Sequence, residues 1–154
     1  MNTENTLSHQ QVLRKLVTLL DVYVRGGFLG EILLGPIQIR LDESTLAQPD
    51  VSLFLPETRL HQEGNPAILN TRPDVIIEIL DVSTAYRDLV ESKRIYARKG
   101  IGEYWIVDPK GKSVEIFENI DGHFTTYAMV EDSESITSRL VPAIEVALAE
   151  LFPN

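Results

Sequence analysis

The stretch "PDVIIEILDVST", residues 73 to 84, carries the strongest constraint in the chain. Val75, Ile76, Ile77, Ile79 and Leu80 make a run apolar on both faces, which predicts a β-strand buried inside a covered sheet. Glu78 interrupts it. A carboxylate taken out of water without a partner protonates rather than stay charged, so Glu78 needs a reason to be there. It can lie at the open end of the strand, pair with an arginine, or serve as a ligand or catalytic group.

A second misfit follows on the next predicted helix, "STAYRDLVESKRIYARKG", with Ser83 or Thr84 as its N-cap and Gly100 just past its end. At 100° per residue Leu89, Lys93, Tyr96 and Ala97 share one face, which places Lys93 inside the apolar stripe. A lysine there either snorkels to water or brings its ammonium near a buried anion. One explanation covering both Glu78 and Lys93 is more economical than two separate accidents.

The candidates for a third group are two Pro-Asp dipeptides. Asp74 shares a strand face with Glu78 but stands four residues away, roughly 13 Å at strand rise, too far to share a cation with it. Asp50 opens a different strand, "VSLFL". Two carboxylates from adjacent strands suit a hard cation such as Mg²⁺ or Mn²⁺, whose remaining positions go to water and substrate phosphate. Asp50 and Glu78 are then the metal ligands, and Lys93 the cation that orients or activates the attacking water.

Around this centre the pattern predicts a helix from Ser8, as N-cap, to about Arg25, with Leu13, Leu16, Val17, Leu20 and Val24 on its buried side. "FLGEILLG", "IQIRL" and "VSLFL" read as a three-strand meander, and residues 56 to 73 as a long loop. Strands "EYWIVDP", "SVEIFEN" and "HFTTYAM" follow, the last pair joined across "IDG", and the apolar tail "VPAIEVALAELF" docks on the sheet. The expected fold is one α/β domain over residues 1–154, a mixed sheet flanked by helices.

Composition sets limits on function. The 154 residues contain no cysteine, so thiolate chemistry and disulfides are excluded. No apolar run approaches the roughly 20 residues of a membrane span, and the predicted setting is cytoplasmic. A formal charge of −9 opposes indiscriminate attraction to nucleic acid, so any such role needs a local basic surface or metal ions.

The run from Pro73 to Pro109, preceded by "QPDVSLF" and followed by "SVEIFE", resembles the Uma-type family of putative restriction endonucleases, in the PD-(D/E)xK nuclease superfamily. The resemblance covers about His9 to Phe152. It implies a restriction-endonuclease-like fold and Mg²⁺-dependent hydrolysis of nucleic acid, DNA in the first place, by a homodimer. By that pattern Asp50 and Glu78 match the metal-binding acids. Leu80 occupies the position of the superfamily's usual lysine, and Lys93 matches its helix-borne substitute. Two departures stand out: Asp81-Val82 replaces the family's Ser-Pro, and the chain starts after a segment that usually bears a further glutamate. Asp81 is either an extra acid near the metal or a surface turn residue. The rival class is a non-catalytic binding or regulatory protein on the same fold.

Other features are assigned no chemistry. His9, His61 and His123 are too scattered for a zinc site and read as surface residues. Arg98 with Lys99 and Lys110 with Lys112 are small basic clusters that either touch phosphates or, as is commoner, are solvated turns. Of Tyr104 and Trp105, alternation predicts one in the core and one facing a partner subunit.

Overall fold

The computed structural model describes residues 6–60, 64–81 and 86–152. Helix α1 spans Leu7–Arg25 and α2 spans Tyr86–Arg98. The strands are β1 Glu31–Leu34, β2 Gln38–Asp42, β3 Thr45–Ala47, β4 Val51–Phe54, β5 Ile68–Leu69, β6 Val75–Ile79, β7 Glu103–Asp108, β8 Ser113–Ile120, β9 His123–Val130, β10 Ser135–Thr137 and β11 Glu145–Ala147.

Six strands form the main sheet in the order β1-β4-β6-β7-β8-β9. All its neighbours run antiparallel except β6 and β7, which α2 connects as a parallel crossover. The predicted meander is not found. β1 pairs with β4, while β2 leaves to form a separate sheet with β3 and β5. β5 lies within the segment expected to be a loop; His61, Gln62 and Glu63 of that segment lie outside the described residues.

Both faces of the central strands β4, β6 and β7 are covered, as their apolar runs require. On one face Val75, Ile77, Ile79, Trp105 and Val107 pack with Val12, Leu16 and Leu20 of α1 and with the tail residues Val141, Ile144 and Leu151. The tail thus docks on the sheet. On the other face Ile76, Tyr104 and Phe117 pack with Tyr96 of α2. This double cover explains why Tyr104 and Trp105 are both fully buried, so neither faces a partner.

The helix ends follow local chemistry. α1 is capped by Thr6, not Ser8: the Thr6 hydroxyl accepts from the His9 amide at 3.1 Å. Ser83 and Thr84, the expected caps of α2, lie outside the described residues. Gly100 takes φ 87° just past α2, the left-handed value that ends a helix cheaply in glycine.

Candidate functional site

Asp50 stands one residue before β4, and the antiparallel register that pairs Val51 with Ile77 continues to set Asp50 beside Glu78. The backbone around Asp50 is held from outside as well. The Gly35 amide donates to the Asp50 carbonyl at 2.8 Å, and a Cβ at Gly35 would stand 2.8 Å from the Pro49 carbonyl oxygen. Glycine is needed there for close approach.

At this end of the sheet the two carboxyl groups meet. Asp50 Oδ2 accepts from the Ile79 amide at 2.7 Å. Glu78 accepts from the Asp50 amide, shares a hydrogen bond with the Asp50 side chain, and accepts from the Tyr96 hydroxyl at 3.2 Å. Burial pushes the Glu78 carboxyl up to about 8, and the adjacent Asp50 charge pushes the same way against the hydrogen bonds that favour ionisation. The Glu78 carboxyl therefore keeps its proton to higher pH than an ordinary carboxyl group. The pair is a place where negative charge is crowded and a cation would relieve it.

Sequence reasoning missed His9. It is 3% exposed, contrary to the surface assignment, and its Nε2 lies 3.2 Å from Asp50 Oδ1. The hydrogen bond to Asp50 raises the imidazole pKa, burial opposes it, and the charges of Asp50 and Asp81 add to the rise. The signal was available: His9 stands three residues before Val12 on the stripe that continues through Leu16 and Leu20. It was overlooked because one histidine without a neighbouring ligand carries no spacing motif. His123 is exposed.

Lys93 stands elsewhere. It is half-buried, and its Nζ lies 4.0 Å from the centroid of the Phe117 ring on β8, two strands from Glu78. There it lines a groove of about 320 Å³ with Leu80, Ile106, Glu115 and Phe117. Ile106 is the cross-strand partner of Glu78, so the groove adjoins the carboxyl pair. The contribution of α2 that touches Glu78 is Tyr96, three residues on from Lys93 and on the same side of the helix. Tyr104 packs edge-on against Tyr96 at 5.4 Å, and its buried hydroxyl has no partner among the described residues.

Asp74 has a structural occupation: its Oδ2 accepts from the Leu55 amide at 2.8 Å. Lys99 pairs with Asp42. Asp81 is half-buried and near enough to His9 to act on its charge.

The donor set suits a hard divalent cation with two protein carboxylates and otherwise water or phosphate oxygens. Among the described residues no group of three or more His, Asp or Glu side chains is placed to hold a metal ion, so a closed structural metal site is not what this geometry offers.

The family model "Uma2: Putative restriction endonuclease" matches residues 1–149. The chain belongs to this family. The Uma2 chain also shares its fold with a crystal structure described as a putative nuclease belonging to DUF820 from Anabaena variabilis ATCC 29413. The TM-score is 0.80 at 15% sequence identity, with 98% of this chain and 83% of that chain covered. No curated protein matches. The α/β architecture expected from the sequence is the one observed, and no described helix is long and apolar enough to cross a membrane.

Proposed function

We propose that this Uma2 protein is a metal-dependent endonuclease that hydrolyses phosphodiester bonds in nucleic acid, with DNA as the first substrate to test. The observation that carries the reading is the Asp50–Glu78 pair: two carboxyl groups in contact at one sheet end, one of them with its pKa raised by burial and by its neighbour. Family membership and the nuclease-like fold support the same class.

In this reading Asp50 and Glu78 hold one Mg²⁺ or Mn²⁺, which when bound supplies charge to the scissile phosphate and acidifies water. Deprotonated Glu78 is the form that ligates. The Ile79 amide and His9 keep Asp50 oriented, and Tyr96 does the same for Glu78. Lys93, on the groove beside Ile106, offers its ammonium to a substrate phosphate. From its place over Phe117 it reaches substrate lying along the groove rather than the carboxyl pair itself.

The test is nicking of plasmid and single-stranded DNA with Mg²⁺ or Mn²⁺. Wild type should cleave, Glu78→Gln should lose at least about 10²-fold, and Lys93→Met should fold normally yet cleave more slowly. Equal cleavage by wild type and Lys93→Met would remove Lys93 from the mechanism. No cleavage by wild type on any substrate would turn preference to the non-catalytic module, which the formal charge of −9 favours.

A further inference from the structure

We propose that His9 is a positioning residue for Asp50: its Nε2–H holds Oδ1 from the α1 side of the sheet, so that a divalent cation meets a carboxylate whose plane is already set. The inference rests on the metal-dependent reading above and adds to it a residue from an element otherwise devoted to the core.

The placement of His9 is what asks for a function. His9, Val12, Leu16 and Leu20 are the four buried residues of α1, and they fall on one stripe. Three are aliphatic. An aliphatic residue at position 9 would extend the stripe at no polar cost, whereas the imidazole leaves Nδ1 buried with no partner among the described residues. The polar ring is therefore not explained by packing. What it gains among the described residues is a hydrogen bond to Asp50 at 3.2 Å and the nearby charge of Asp81.

The start of the helix sets this contact. Thr6 closes the first turn by accepting from the His9 amide itself, which fixes where α1 begins and so which way residue 9 faces. Asp50 then receives one donor on each oxygen, the Ile79 amide on Oδ2 and His9 on Oδ1. A carboxylate has about four lone-pair sites, so with the hydrogen bond that Asp50 shares with Glu78 counted beside these two, one stays open for ligation. Glu78 is held in the same manner from the opposite face, by the Tyr96 hydroxyl of α2. Each helix thus contributes one donor to one carboxyl group, and outer partners of this kind govern how well a ligand binds its metal.

The experiment uses the full chain and Mn²⁺ alone, with free Mn²⁺ counted by electron paramagnetic resonance, beside urea unfolding without metal. His9→Leu fills the stripe and removes the donor; it should bind Mn²⁺ about 10-fold to 100-fold more weakly while unfolding no earlier than wild type. His9→Gln carries an N–H near the Nε2 position and should recover most of the affinity. His9→Asn, with its N–H near the Nδ1 position, should not. Should His9→Leu fail to fold, the contrast between Gln and Asn decides. Wild-type affinity in His9→Leu, or Gln and Asn behaving alike, would overturn the role of His9 while leaving the metal site standing, provided Asp50→Asn still loses binding. Mn²⁺ binding that Asp50→Asn does not weaken, or none by wild type, would overturn both the metal site and the inference.

Discussion

Glu103 and Glu78 are two carboxyl groups on neighbouring strands of one sheet, pointing to opposite faces, and they are kept in opposite ways. Glu103 is wholly buried, and its oxygens accept from four donors: the Trp105 indole at 2.6 Å, the Ser138 hydroxyl at 2.7 Å, and the Arg139 and Leu140 amides at 2.8 and 3.1 Å. It ties the segment after β10 to the sheet. Glu78 is only partly buried, yet it faces another acid and among the described residues is supplied with fewer donors, the Tyr96 hydroxyl and the Asp50 amide. Saturation with hydrogen bonds makes a carboxylate a structural part. Crowding against a like charge, with access kept open, makes one that is poised to take up a cation or a proton.

The contrast can be broken most sharply at Glu103. Glu103→Ala strands four donors, and at about 1 kcal/mol or more for each the chain should lose about 3–5 kcal/mol of stability in urea titrations. A loss below about 1 kcal/mol would mean that water or a shifted segment replaces the carboxylate.

Glu78→Gln should act in the opposite direction. The pKa of Glu78 is raised from 4.5 to about 8 in the folded chain, so the folded state holds a proton that the unfolded state releases. Stability from this group is therefore complete below pH 4.5 and drains away as pH rises toward about 8. Glutamine does not titrate, so melting temperatures of wild type and Glu78→Gln should diverge across that window, the variant being the more stable at the upper end. Metal binding runs the other way: Mn²⁺ affinity of wild type should climb with pH up to about 8, because the ligating form is the carboxylate. Parallel melting curves at every pH would show that Glu78 is as well provided for as Glu103.

The smallest effect sharpens the comparison. The Tyr96 hydroxyl favours the charged form of Glu78, so Tyr96→Phe should move the pH at which Mn²⁺ binding develops upward, with a stability loss of about 1 kcal/mol. An unmoved pH profile would show that Tyr96 packs beside Glu78 without holding it.

What was legible in the sequence is what local pattern encodes. The strand around Glu78 stood out because a charge in a two-sided apolar run is visible without knowing the neighbours, and the α2 stripe exposed Lys93 in the same way. Asp121-Gly122 marked the β8–β9 turn, and both residues take positive φ. Pairing is not local, and there the reading failed. Three strands in succession suggested a meander, but β4 joins β1 and β6 while β2 goes to another sheet, a choice of partners that no local pattern encodes.

The same limit applied to the site. Asp50 and Glu78 stood out as an acid opening one strand and an acid inside another, but nothing local to either gave their contact. Glu103 carried no signal, because its four donors come from one residue two positions away and three residues more than thirty positions later. His9 lies 41 residues before Asp50, and only the packing of α1 against the sheet end turns an isolated histidine into its partner. Residue type and spacing therefore determined which acids were out of place; the tertiary fold decided which of them were satisfied, since a hydrogen bond depends on distance in space and not along the chain.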